Sequence, residues 1–283
     1  MGSKLSISNH RSDIIGLKYV YPVLSRRAGG LSIGINFNTN NTCNWRCVYC
    51  QVADLTIGTA PELDFELLAQ ELRFFLNDVI KGDFYDRFQV DDDKRIIKDI
   101  AIAGNGEPTS LKTFSQAIEL IGQIATEAGI FPASDYVLIT NGSLLHQPRV
   151  QEGLAVLHQY GGQVWFKFDS ATEAGRKLIN NTGQSCRAAL DNLILSSQLC
   201  TTKLQTCLLD YDHRGLPETE KHAYLNVLKA IKDQCSLQRI MLYTIARPSQ
   251  QPEAARIMPL SLAILNAFAE DIRQLGFEVS VSV

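Results

Sequence analysis

Cys43-Asn44-Trp45-Arg46-Cys47-Val48-Tyr49-Cys50 puts three of the chain's seven cysteines within eight residues, separated by three and then two residues. Crowding of this kind on one short loop suits soft thiolate ligands, and iron–sulfur clusters are held by such cysteine runs. The count matters as much as the spacing. In a four-iron cluster three thiolates leave one iron without a protein ligand, unless another residue arrives from elsewhere. An open position on a metal centre is how a catalytic site admits a reactant, whereas closed sites are structural. A structural zinc site is a competing reading, but it needs a fourth ligand, and no His or Cys follows at a usual zinc-finger interval. Three reduced core cysteines are the third reading.

Outward from this loop the chain reads as repeated strand, polar turn and helix. Leu31-Ser32-Ile33-Gly34-Ile35-Asn36-Phe37 alternates apolar with small or polar residues, as a strand does. From Asp64 onward Leu67, Leu68, Leu72, Phe75, Leu76 and Val79 recur at helical spacing. Strands are expected over 97–103, 136–139, 164–168, 204–209 and 239–243, with helices over 111–128, 150–160, 186–198, 218–232 and 259–275 between and after them. Gly276 stops the last helix, and 277–283 alternates as a final strand. Residues 1–30 read as an irregular extension, 81–95 as a charged surface insertion around Asp91-Asp92-Asp93-Lys94-Arg95, and 259–283 as a closing helix and strand. Six strand–helix units argue for a parallel sheet with right-handed crossovers. Six is fewer than the eight that close a full barrel, so the fold class is α/β, a partial (β/α)6 TIM-like barrel spanning 1–283 as one domain.

Composition narrows the function classes. Of 283 residues, 45% are hydrophobic and 20% charged, enough apolar content for a sizeable core. A net charge of −3 gives no overall basic field to draw the chain to nucleic acid. No apolar run approaches membrane-spanning length, and Met1-Gly2-Ser3-Lys4 lacks the pattern of a secretory signal. The expectation is a cytoplasmic protein with reduced thiols. Cys186, Cys200, Cys207 and Cys235 follow at spacings that fit no cluster motif and read as core residues.

In parallel α/β barrels the reactive groups sit at the carboxyl ends of the strands. Those ends carry the cysteine loop, Gly104-Asn105-Gly106-Glu107-Pro108, Thr140-Asn141-Gly142-Ser143, Lys167-Phe168-Asp169-Ser170, Asp210-Tyr211-Asp212-His213-Arg214, and Tyr243-Thr244 with Arg247 beyond. The two glycines of the second set let backbone approach a ligand closely. Lys167 and Asp169, two apart, point to one face. Arg26 and Arg27 read as a solvated basic pair or as a clamp on an anionic group. His213, Lys167 and Arg247 are the candidates for acid, base or positioning roles in catalysis.

The Cys-x3-Cys-x-aromatic-Cys loop after a strand resembles the signature of the radical S-adenosylmethionine (radical SAM) superfamily. That resemblance implies a [4Fe–4S] cluster on Cys43, Cys47 and Cys50, whose open iron chelates S-adenosylmethionine. It implies reductive cleavage of that cofactor to a 5′-deoxyadenosyl radical, with an electron from a donor such as flavodoxin or ferredoxin. Tyr49 fills the aromatic position near the adenine. Gly104 to Pro108, with Asn105 and Gly106 as variations, is similar to the Gly-Gly-Glu-Pro motif that holds the methionine amino group. Asp169 falls where family members contact the ribose. Ser25-Arg26-Arg27, Ser32 to Asn36, Cys47 to Gln51, Gly104 to Ser110, Ile139 to Leu145, Lys167 to Ser170 and Tyr243 to Pro248 occur in order. Together they resemble the Fe–S oxidoreductases related to the wyosine-base tRNA synthase, which adds Arg26, Arg27 and Asn141 to the cofactor-binding set. Two departures matter. No cysteine precedes Cys43, so the second cluster of that synthase has no ligands here, and its pyruvate-binding lysine has no clear counterpart.

The expectation is therefore an enzyme of oxidoreductase type that makes a radical from S-adenosylmethionine and modifies RNA or a nucleotide. Peptide or protein modification is the alternative. A non-catalytic Fe–S or zinc binding module is the alternative of another class, and it leaves Gly104 to Pro108 unexplained.

Overall fold

The computed structural model describes residues 15–25 and 29–283. One eight-stranded sheet runs through it in chain order: β1 (Val20–Ser25), β2 (Gly30–Ile35), β3 (Ile97–Ile102), β4 (Asp135–Thr140), β5 (Gln163–Lys167), β6 (Thr201–Cys207), β7 (Leu237–Tyr243) and β8 (Val279–Ser282). β1 pairs antiparallel with β2, and every later pairing is parallel. Parallel neighbours need a long crossover. Six helices supply it, in order α1 (Phe65–Lys81), α2 (Phe114–Glu127), α3 (Pro148–Gln159), α4 (Cys186–Leu199), α5 (Glu218–Ile231) and α6 (Leu262–Arg273).

The period of two sorts the strands. Ile33, Ile100, Leu138, Val164, Leu204 and Ile240 face outward and are fully buried under the helices in one continuous core. Each such side chain contributes roughly 1.5–3 kcal/mol of burial. The other face curls around a chamber of about 370 Å³, to which every one of the eight strands contributes, from Tyr21 on β1 through Asp99, Ile139 and Trp165 to Ser282 on β8. A flat sheet would not bring both edge strands to one cavity, so the sheet is a partial barrel. Residues on this face are smaller or polar (Ser32, Gly34, Asp99, Ala101), which leaves the chamber open. Gly34 is required there, because an added Cβ would stand 2.2 Å from the ring of Tyr21.

Six strand–helix units and the last strand agree with the reading of the sequence. The N-terminal stretch differs: within 1–30, Val20–Ser25 is an edge strand rather than irregular chain. Pro22 is tolerated within it because at a sheet edge its missing N–H costs no ladder bond. Arg26 and Arg27 lie outside the described residues. Residues 81–95 also differ in part. Asp91, Asp92 and Asp93 are exposed, yet Phe84, Phe88 and Val90 are buried, and Phe84–Arg87 forms a short helix that docks on Phe75. The last helix begins at Leu262 rather than 259, capped by Ser261, because Ile257–Pro259 is drawn into an antiparallel pair with Leu209–Tyr211. Among the described residues no helix is long and apolar enough to cross a membrane.

Candidate functional site

Four asparagines build the floor under the cysteine loop. Asn36 Oδ1 accepts from the amides of Asn38 and Asn105, both at 3.0 Å, which ties the end of β2 to the loop after β3. Asn38 Nδ2 donates to the carbonyl of Thr42 at 2.9 Å, and Asn105 Nδ2 to Asn41 Oδ1 at 2.7 Å. Asn41 adopts φ 54°, a left-handed turn that asparagine tolerates. Thr42 and Cys43 then pair in parallel with Thr56 and Ile57. Gly104 and Gly106 pack against this floor: Cβ atoms there would lie 2.3 Å from Asn36 Oδ1 and 1.8 Å from the Thr42 carbonyl. The glycines thus allow close approach, here of backbone to the cysteine loop.

Glu107 is 2% exposed, and its carboxylate is fully engaged. Oε1 accepts from Thr109 N (3.1 Å), Thr109 Oγ1 (2.6 Å) and Thr140 Oγ1 (2.6 Å), and Oε2 accepts from Asn141 N (2.7 Å). Burial still lifts its pKa above the ordinary carboxylate value, against those four donors. Glu107 therefore holds the loop after β3 to the loop after β4. Asn141 in turn donates from Nδ2 to Asn44 Oδ1 at 2.8 Å, and Asn44 Nδ2 donates to Ser143 Oγ at 2.7 Å.

The other side of the loop is gripped by the chain after β5. Asp169 accepts from the Cys207 amide at 2.9 Å, from Asn180 Nδ2 at 2.7 Å and from the hydroxyl of Tyr49. Lys167 Nζ stands 3.7 Å from Asp169 Oδ2, 3.0 Å from Tyr243 Oη and 4.9 Å from the centre of the Tyr49 ring. Burial would lower its pKa, but Asp169 and the neighbouring acidic groups outweigh that and raise it, so the ammonium stays charged. Arg46 forms a bidentate pair with Glu253 at 2.7 and 2.8 Å. Ser249 Oγ donates to the Val48 carbonyl at 2.7 Å, and Gln250 N to the Cys50 carbonyl at 2.9 Å.

Two of the three sulfurs meet an N–H donor. Trp45 N points at Cys43 Sγ from 3.5 Å, and Asn180 Nδ2 at Cys47 Sγ from 3.3 Å. Such donors favour an anionic sulfur and tune a bound cluster. Burial works against the charge: it pushes the thiol of Cys43 up to about 12 and of Cys47 up to about 11, and raises Cys50. Donors directed at buried thiols that ionise only beside a cation are the donor chemistry of a metal centre. Among the described residues no three His, Cys, Asp or Glu side chains converge on the position of a single ion.

Of the residues singled out in the sequence, Cys43, Cys47, Cys50, Tyr49, Gly104 to Glu107, Asn141, Lys167 and Asp169 come together at the carboxyl end of the sheet. Tyr49 and Gly104 also line the chamber, as do Gln51 and Arg247, whose Nη1 donates to Gln51 Oε1 at 3.0 Å. His213 does not join them: it is exposed, with φ 59°, in the loop that leads away from Leu209–Tyr211. Cys200 and Cys235 are core residues, with S–H groups directed at the carbonyls of Gly162 and Leu193. Cys207 is buried as well, at the end of β6 on the wall shared by the chamber and a second cleft of about 220 Å³. Cys186 departs from that expectation: it is only half-buried at the start of α4. Asn44, within the cysteine loop, and Tyr243, at a strand end, join the same site, as does Asn180, which no spacing pattern marks.

A sheet in chain order, curled as a partial barrel around a chamber, is a fold that solved radical SAM enzymes share. TYW1 with a lysine-pyruvate adduct bound matches it with a TM-score of 0.56 at 15% identity, over 87% of this chain and 74% of that one. A radical SAM methyltransferase from Sphaerobacter thermophilus matches with a TM-score of 0.57 at 12% identity, over 93% and 68%. At these identities the likeness is one of fold. In sequence, the UPF0026 protein of Helicobacter pylori (strain ATCC 700392 / 26695) is 25% identical over 232 residues, which are 81% of this chain and 66% of that protein. The chain thus spans just under two thirds of the length of that relative. No protein-family model matches the chain.

Proposed function

We propose that this chain is a radical SAM enzyme whose Cys43, Cys47 and Cys50 hold one [4Fe–4S] cluster. The observation that carries this reading is the pair of N–H donors aimed at the sulfurs of Cys43 and Cys47 on one loop. When bound, the cluster and S-adenosylmethionine supply a carbon-centred radical, using one electron from a donor such as flavodoxin or ferredoxin. The chain's own part is binding, orientation and exclusion of water. Gly104 and Gly106 keep the loop after β3 close to the cysteines. Glu107 and Asn141 hold the adjoining loops in register. Lys167, kept charged by Asp169, suits an anionic group on a ligand and not nucleophilic attack on a carbonyl, which requires a neutral amine.

The substrate lies in the chamber, and we propose a nucleobase, free or extruded from RNA. Trp165 and Tyr243 line the chamber with aromatic rings, of the kind on which bases stack, and Ser32 and Asp99, hydrogen-bonded to each other, make part of its wall polar. A volume of about 370 Å³ admits one such group and no duplex. Peptide modification is the competing outcome.

Anaerobic reconstitution, reduction and addition of S-adenosylmethionine tests the class. Formation of 5′-deoxyadenosine that is lost in Cys43→Ala is expected. A protein that takes up zinc and no iron would sink the reading. Incubation with total tRNA or with a peptide library, followed by mass spectrometry, separates the substrate classes.

A further inference from the structure

Residues Arg176–Asn180 form a single turn of π-helix, a rare geometry that is frequent at functional sites. This turn is built onto the cysteine loop. The Ile179 carbonyl accepts from Val48 N at 2.8 Å, and Asn181 Nδ2 donates to the Arg46 carbonyl at 2.9 Å. The Arg176 guanidinium lies 5.5 Å from the Trp45 ring centre. Asn180 sits at the middle of these contacts and is wholly buried. Its one amide nitrogen donates to two acceptors, Asp169 Oδ2 at 2.7 Å and Cys47 Sγ at 3.3 Å. A carboxylate and a thiolate both accept only, so the nitrogen, not the oxygen, must face them. The oxygen pays for this orientation: Asn180 Oδ1 and Arg176 Nη1 are the buried side-chain atoms without a partner among the described residues. An unsatisfied buried oxygen is costly and calls for an explanation. The explanation that the geometry supports is a constraint on the nitrogen.

We propose that Asn180 is a positioning residue through which the loop after β5 sets the reduction potential of the cluster on Cys47. This rests on the cluster reading given above. An added electron increases the negative charge carried by the thiolate sulfurs, and an N–H donor to one of them stabilises the reduced state more than the oxidised one. Asp169 fixes where that donor stands, and Asp169 also holds Tyr49 and the end of β6. Donor, cysteine and two site residues are therefore set by one carboxylate.

The test is an EPR-monitored redox titration of the reconstituted protein with Asn180→Leu, which keeps the volume and removes the donor. At a fixed solution potential, about a tenfold lower ratio of reduced to oxidised cluster is expected, a shift of about 59 mV for one electron. Asn181→Gly is the control: it removes the bond to the Arg46 carbonyl and no donor to sulfur. It should lower cluster retention with the potential unmoved. If Asn180→Leu fails to hold a cluster, Asn180→Ser is titrated for the same shift. An unmoved midpoint in a variant with an intact cluster overturns the inference and leaves the cluster reading standing. Wild-type protein that takes up no iron overturns both.

Discussion

At the scale of single residues, the site depends on atoms that have no room to move. Gly106→Ala would drive a Cβ to 1.8 Å from the Thr42 carbonyl and 2.7 Å from Asn38. The Thr42 carbonyl is backbone and cannot rotate away, so the cysteine loop itself must shift. We expect a loss of about 1–3 kcal/mol in chemical denaturation, and poor iron retention in proportion. Lys167→Met would strand Asp169 without its cation. Removing one partner of a buried pair typically costs about 3–5 kcal/mol, and a stability curve that barely moves would show that the pair is dispensable. Gly104 to Glu107 was legible in the sequence as part of the candidate site, but the bonding of Glu107 was not. A carboxylate in a loop reads as a ligand-binding group until Thr109, Thr140 and Asn141 are seen to occupy it. Asn180 was illegible for a related reason: its partners lie 133 and 11 residues away, and no local periodicity marks such a contact.

At the scale of elements, two docking points carry the arrangement. Glu71 on α1 is buried and accepts from the amides of Lys18 (2.8 Å), Tyr19 (2.8 Å) and Val20 (3.3 Å) at the start of β1. Glu71→Leu leaves three donors unpaired, and a loss on the order of 3 kcal/mol is expected in thermal or urea unfolding. The sequence showed only the apolar stripe of α1, so neither this carboxylate nor the edge strand it anchors could be read there. The six crossover helices were legible because their apolar spacing is local. The second docking point is the pair of Arg46 and Glu253. The hydrogen bond from Arg46 holds the Glu253 carboxyl below its ordinary value of 4.5. A lowered folded pKa gives stability that is present above pH 4.5 and lost as pH falls through the folded value. Wild-type protein should therefore melt above Glu253→Gln near neutrality, and the two melting temperatures should converge in acid. A constant difference across that range would exclude the linkage.

At the scale of the whole molecule, several parts of the fold converge on the cysteine loop. The loop takes bonds from the chain after β2, β4, β5 and β7. Cluster binding should accordingly stabilise the fold as a whole, since a ligand that binds only the native state shifts the unfolding equilibrium. Reconstituted protein should melt several degrees above the same protein stripped by chelator, and Cys43→Ala should show no such difference. The strand order equals the chain order, which favours stepwise assembly as each strand finds its predecessor. It also fixes a timetable for the cysteines. Residues 43–50 leave the ribosome first, and Ser249, which bonds the Val48 carbonyl, follows 201 residues later. At roughly 5–20 residues per second that is about ten to forty seconds of synthesis. Through that interval the three thiols stand on a growing chain without the full set of partners that will bury them, open alike to iron delivery and to oxidation.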